Sequence, residues 1–268
     1  MDRKPTMRPP RAALHFAAAL LASTAFFSAT AHASSLQISP VSLEIHPGQS
    51  AVAVMLRNTG DTPLYAQVRI FGWTQVAADD RLEPTTELVA SPPIAEIAPH
   101  GTQMVRLVRV GHERVESERC FRLLIDELPE DAAPGAAAPA VNIRIRYSVP
   151  VFVQATTGAQ TPDLEWSVRS SIAGTVLRAA NRGDAHVRLS AVRVTMADGT
   201  DLTVASGLLG YALGHSAREW PLSHDLHLGA GTSVSVTATE NNTLVTAPAR
   251  DDSTFLDARV GAAPAPAH

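Results

Sequence analysis

Cysteine and lysine each occur once in these 268 residues. A single Cys120 excludes an intrachain disulfide and leaves no second thiol to resolve an oxidised one. Cys120 precedes Phe121 in an apolar run and reads as a buried structural thiol. The one lysine is Lys4, so almost every cation in the chain is arginine, whose planar fork suits carboxylates and keeps its charge. Beyond the first thirty or so residues there is no apolar run long enough to span a membrane. Long amphipathic helical patterns are missing too. No glycine-rich loop of the P-loop or dinucleotide-binding type is present, which removes the usual signatures of nucleotide chemistry. Gly214-His215-Ser216-Ala217-Arg218 imitates a nucleophile elbow until Arg218 takes the place of the final glycine, and no helix pattern follows it. His224 and His227 lack the cysteine or acidic partners of a metal site. Asn241-Asn242-Thr243 is a chance-level sequon. The chain is therefore read as a non-enzyme, with no catalytic residue, cofactor or metal.

What is present begins with an export signal. Arg3, Lys4, Arg8 and Arg11 form a basic start, an apolar stretch covers roughly 14–27, and Ala31-His32-Ala33 is a small-x-small cleavage site. Residues 1–33 are expected to be a signal peptide cut after Ala33; the apolar stretch is short for a membrane anchor. Without it the chain carries eighteen arginines against twenty-five acids, a net charge of −7. That balance argues against a nucleic-acid partner.

The remainder alternates short apolar runs with Gly, Pro, Asn and Asp. Strands are expected over 36–45, 51–56, 64–73, 94–97, 104–110 and 121–128, then over 164–168, 175–180, 187–196 and 233–239. This spacing predicts an all-β sandwich architecture. Residues 129–139, rich in Ala, Pro and Gly, read as an exposed loop. A break at 156–162 predicts two domains, 34–156 and 157–247, with 248–268 a disordered tail. Asn58-Thr59-Gly60-Asp61 and Asn181-Arg182-Gly183-Asp184 suggest that the halves are related, although shared turn chemistry would give the same match.

The most informative stretch is 141–153, V-N-I-R-I-R-Y-S-V-P-V-F-V. Its odd positions are all apolar, so they share one face of a strand. Its even positions hold Asn142, Arg144, Arg146, Ser148 and Pro150, and then Phe152. Such a strand would be roughly 40 Å long at ~3.3 Å per residue, about twice the usual length. Pro150 donates no hydrogen bond to a ladder and favours an edge or a break in pairing. A long apolar edge invites aggregation unless it exists to pair with another chain.

Many spaced positions resemble the PapD-like periplasmic chaperones of chaperone–usher pilus assembly. In the first half these are Asn58-Thr59-Gly60, Pro63, Gln67-Val68-Arg69, Trp73, Leu82, Pro84-Thr85, Leu88-Val89, Ser91-Pro92-Pro93, Ile97, Pro99, Val105-Arg106-Leu107 and Phe121-Arg122-Leu123 leading to Glu127-Leu128-Pro129. In the second half Asn181, Gly183, His186, Leu189, Gly210-Tyr211-Ala212-Leu213, Arg218 and Trp220 also fit. The resemblance implies two immunoglobulin-like sandwiches set at an angle around a cleft. It also implies a periplasmic chaperone, without cofactor, that lends a strand to pilus subunits and delivers them to an outer-membrane usher. By position the donated residues would be Val141, Ile143 and Ile145, with Tyr147 extending the set. A different expectation treats the chain as a two-domain surface or adhesion protein that keeps its long strand for itself.

Typical members hold the subunit's C-terminal carboxylate with two basic residues in the cleft. Ser42 and Pro150 stand at those positions here, and the Tyr147–Phe152 pattern is similar to the archaic, Csu-like (sigma-type) branch. The resemblance leaves the anchor to another arginine: Arg106 first, Arg109 second and Arg122 third.

Overall fold

Alternation of apolar and polar side chains makes the first half of the chain a sandwich of two sheets. The computed structural model describes residues 36–76, 78–111, 113–128, 144–158, 160–171, 174–222 and 233–251. In chain order the strands of the first domain are β1 (Leu36–Ser39), β2 (Leu43–Ile45), β3 (Ala51–Asn58), β4 (Leu64–Val76), β5 (Asp79–Pro84), β6 (Leu88–Ser91), β7 (Ile94–Ile97), β8 (Thr102–Arg109), β9 (Arg119–Glu127) and β10 (Arg146–Val153). One sheet has the order β1-β3-β8-β6. The other runs β2-β10-β9-β4-β5, with β7 on β4. Leu36, Leu56, Leu107, Leu123, Ile125 and Val151 meet between them, each at most 1% exposed.

The single strand expected over 36–45 divides. β1 pairs antiparallel with β3 in one sheet, and β2 pairs parallel with β10 in the other. Pro40 has no N–H to continue the first ladder. The inward parity also changes at this corner: Leu36 and Ile38 face the core before it, Leu43 and Ile45 after it. Val41 is left outside, 70% exposed.

The second domain holds β11 (Leu164–Ser171), β12 (Gly174–Asn181), β13 (Val187–Met196), β14 (Asp201–Ala212), β15 (Ser216–Pro221), β16 (Val234–Glu240) and β17 (Thr243–Asp251). They hydrogen-bond in the order β14-β13-β16-β17-β11-β12-β15 around a core of Trp166, Leu177, Leu189, Val194 and Val236. The tail expected from residue 248 starts too early, because 248–251 complete β17, with Pro248 and Ala249 against β16 and Ala249 to Asp251 against β11. β5 carries no apolar period, since all six of its residues are exposed, and so it leaves no trace in the sequence pattern. Among the described residues there is no helix. The loop 129–139 lies outside them, as do Val141 and Ile143.

The two matching turn motifs do the same job in each domain. The buried Asn58 donates from Nδ2 to the carbonyls of Thr62 (2.7 Å) and Ile97 (3.1 Å), and its Oδ1 accepts from Gly60 N–H at 2.9 Å. Asn181, also buried, donates to the carbonyls of Ala185 (2.8 Å) and Ala212 (3.1 Å). Its Oδ1 accepts from Gly183 N–H (3.1 Å) and Asp163 N–H (3.0 Å). Each asparagine thus ties a turn to a neighbouring strand. Gly183 has no substitute, because a Cβ there would stand 2.2 Å from the Thr161 carbonyl oxygen.

Removing either asparagine strands buried carbonyls and N–H groups at about 1–3 kcal/mol each. Asn181→Ala is expected to lower the urea midpoint of the second domain, followed by the fluorescence of Trp166, while Asn58→Ala acts on the first.

Candidate functional site

β10 uses its two faces differently. Val149, Val151 and Val153 point into the first core, and Tyr147 packs against it. The Tyr147 hydroxyl donates to the Leu36 carbonyl at 2.6 Å, tying β10 to β1 across the sandwich. Pro150 and Phe152 point the other way, toward the second domain. That is why Phe152 interrupts the polar series of even positions.

Phe152 lies flat on the His186 ring, with centroids 3.4 Å apart and planes 3° from parallel. Trp73 meets Tyr211 edge-on at 5.7 Å, and Leu213 completes this buried cluster. Around it the domains are joined by polar groups. His186 N–H donates to Glu118 Oε1 at 2.8 Å, and His186 Nδ1 lies 2.9 Å from Glu118 Oε2. Gln75 uses its whole amide: Oε1 accepts from Leu213 N–H and the Ser216 hydroxyl, and Nε2 donates to the Tyr211 carbonyl and Asp80. Arg218 reaches back to the Ala78 carbonyl at 2.7 Å. Cys120 packs against the cluster, and burial followed by Glu118 drives its thiol far above the ordinary range, which keeps it neutral.

Next to the cluster is a cleft of about 520 Å³ lined from both domains, by Val41, Ser42, Arg122, Ser148 and Pro150 on one side and Arg188, Leu208 and Tyr211 on the other. Arg122 sits on β9 directly opposite Pro150 in the ladder. Its guanidinium carbon is 3.6 Å from the Trp73 ring centroid and 5.6 Å from that of Tyr211. Burial lowers its pKa, with Asp80 and Tyr211 opposing. Among the described residues no carboxylate forms an ion pair with it. Burial raises the Tyr211 hydroxyl, while Arg122, Arg188 and a hydrogen bond with Ser42 pull it down.

Of the three candidate anchors, only Arg122 reaches the cleft. Arg106 is exposed on the outer face of the β1-β3-β8-β6 sheet, because neighbouring Val105 and Leu107 take the inward positions on β8. Arg109 ends that strand and donates to the Glu113 carbonyl. Val141 and Ile143 lie outside the described residues. Ile145 is half-buried, and its carbonyl accepts from Glu127 N–H at 3.4 Å. The elbow-like segment is structural: the Ser216 hydroxyl is spent on Gln75 and the Leu213 carbonyl, and His215 pairs with Asp184 at 2.8 Å. His224 and His227 lie outside the described residues. Glu118, Gln75 and Arg188 are joining or cleft residues that the sequence reading missed, and only the apolar intruder Phe152 signalled the contact they belong to.

This fold is the two-domain, immunoglobulin-like architecture of pilus chaperones. The chain matches, over residues 35–157, the family model for the pili and flagellar-assembly chaperone, PapD N-terminal domain. It is similar to a chain of the CsuC–CsuE chaperone–tip adhesion subunit pre-assembly complex from the archaic chaperone–usher Csu pili of Acinetobacter baumannii. The identity is 25%, the match covers 81% of this chain and 98% of that one, and the TM-score is 0.63. The Pseudomonas aeruginosa CupB2 chaperone shares the fold at 18% identity, over 80% and 98% of the two chains, with a TM-score of 0.52. So does a chain of the Salmonella enterica SafA pilin–SafB chaperone complex, at 15% identity, 82% and 96% coverage and a TM-score of 0.55. No curated protein matches the sequence. Pilus chaperones of this family are periplasmic. Among the described residues no helix is long and apolar enough to cross a membrane.

Two outcomes follow from this geometry. Phe152→Ala removes a fully buried ring from the joint and is expected to cost about 3–5 kcal/mol of stability, read from denaturant unfolding. At the start of β10, burial would raise the Asp126 carboxyl, but hydrogen bonds from Arg146 and Arg69 hold it below its ordinary value. A depressed folded pKa contributes stability above the unfolded value of ~3.9 and loses it as pH falls through the folded one. Amide exchange at Tyr147 is therefore expected to quicken below about pH 4, more than in Asp126→Asn measured over the same range.

Proposed function

We propose that this chain caps pilus subunits by lending them the segment that leads into β10, and that it hands them to an outer-membrane usher. The open edge of β10 carries this reading. β9 pairs with β10 from Arg146 to Val153, whereas β2 covers the opposite edge only from Val151 to Val153. Among the described residues nothing pairs with that edge from Arg146 to Pro150, so its backbone groups are available to an added strand. Val141, Ile143 and Ile145 have the parity of the core-facing Val149 and Val151. They are the residues that continue this face into a subunit's groove, at ~1.5–3 kcal/mol for each side chain fully buried. Tyr147 is the changeover, since it already packs on the chain's own core.

Arg122 takes the subunit's C-terminal carboxylate. It stands across the ladder from Pro150 and lines the cleft that Ser42 also lines, so the charge missing from those two positions is supplied from the adjacent strand. A terminal carboxylate at Arg122 requires the subunit's last strand to run parallel to β10, toward Pro150. The leader directs export, with cleavage after Ala33. Residues 34–156 form the donor domain and 157–251 the second.

Purification of the mature chain after co-expression with candidate exported subunits, followed by mass spectrometry, tests the reading. A one-to-one complex is expected. Ile143→Asp should abolish it while the chaperone stays folded, since a charge would enter an apolar groove. Arg122→Gln should weaken it roughly ten- to hundred-fold, the worth of a charge-assisted hydrogen bond, and Arg106→Ala should leave it unchanged. A free monomer with every candidate would overturn strand donation in favour of a structural surface protein.

A further inference from the structure

We propose that the cleft also reads the side chain of the subunit's last residue, and that Val41 and Leu208 make it select an apolar one. The proposal rests on the carboxylate reading of Arg122 and adds a substrate class to it. Its starting point is a pair of side chains that the fold leaves wet. Val41 is 70% exposed and Leu208 is 59% exposed, and they line the same cleft from opposite domains.

Each is held there by an irregularity in its own sheet. Val41 occupies the corner where the chain leaves one sheet of the sandwich for the other, between β1 and β2. Leu208 lies on β14 where the pairing with β13 slips, with register shifts between Leu189 and Ser190 and between Ser190 and Val192. Ala191, on the bulged strand and also lining the cleft, has φ of +50°, a backbone conformation that L residues with a side chain seldom adopt. Bulges of this kind re-aim side chains beside sites. Here the bulge brings Leu208 to the cleft opposite Val41.

The direction of an added strand says what meets them. β2 is parallel to β10 and begins at Leu43, opposite Val151. A strand added along Arg146–Pro150 in the same direction would run in line with β2 and stop against the residues that precede it, Ser42 and Val41. Its last residue thus arrives at the cleft with the carboxylate at Arg122 and its side chain between Val41 and Leu208. An apolar side chain removes both from water, whereas a polar one must give up its own hydration beside them.

The test uses the subunit recovered by co-purification, made in two isotopically distinguishable versions, one ending in Leu and one in Ser, that compete for limiting chaperone. The Leu version is expected to be retained about ten-fold over the Ser version, the ratio given by ~1.4 kcal/mol of differential burial. Val41→Ser together with Leu208→Ser should bring the ratio near one. Both sites are exposed, so the chaperone should stay folded, and the loss of capture should fall on the Leu version. Arg122→Gln should lower the capture of both versions and leave their ratio in place. Equal retention by the unaltered chaperone would overturn the inference and leave the carboxylate reading intact. Capture indifferent to Arg122→Gln would overturn the carboxylate reading itself, and the inference with it.

Discussion

The β9–β10 ladder ties together everything functional in this chain. Its odd β10 residues fill the first core, its even residues Pro150 and Phe152 turn to the second domain, and its β9 member carries Arg122 at the cleft. Two faces and one edge of β10 are thereby committed to the chain's own structure. What stays open among the described residues is the other edge from Arg146 to Pro150, because β2 is only three residues long. The proposed donor role needs that edge.

The joint between the domains shows how a cation can stay half-buried. The stacked Phe152 and His186, the edge-on Trp73 and Tyr211, and the Gln75 amide with its oxygen and nitrogen both hydrogen-bonded form one wall. Arg122 leans on that wall through the Trp73 ring, which offers it π density in place of a carboxylate. Burial disfavours the charge, while the aromatic contact keeps the side chain aimed. Arg106, exposed on β8, has neither wall nor cleft beside it.

Much of the architecture was legible from residues alone. Alternation marked most of the core strands, and the paired motifs at Asn58 and Asn181 marked turns that proved to make the same hydrogen bonds in both domains. Of the long strand expected over 141–153, the described residues show Arg146–Val153 as β10. Phe152 among polar even positions was the one local sign that this strand has a second buried face. The short exposed β5, the sheet switch at Pro40 and the strands β14, β15 and β17 were not read from the sequence.

Which arginine serves the cleft was decided by tertiary structure. Sequence supplied three arginines of equal chemistry, but it could not say which sheet each strand joins or which way each side chain faces. β8 turned Arg106 to the outside of one sheet, while β9 placed Arg122 across from Pro150 and under the second domain. The sequence by itself determined the periodicities, since these follow from the two-residue repeat of a strand and the demand of apolar groups to leave water. Long-range pairing determined the site, because the cleft exists only where residues far apart in the chain, such as Val41, Arg122, Pro150 and Leu208, are brought together by strand order and by the angle at which the domains meet.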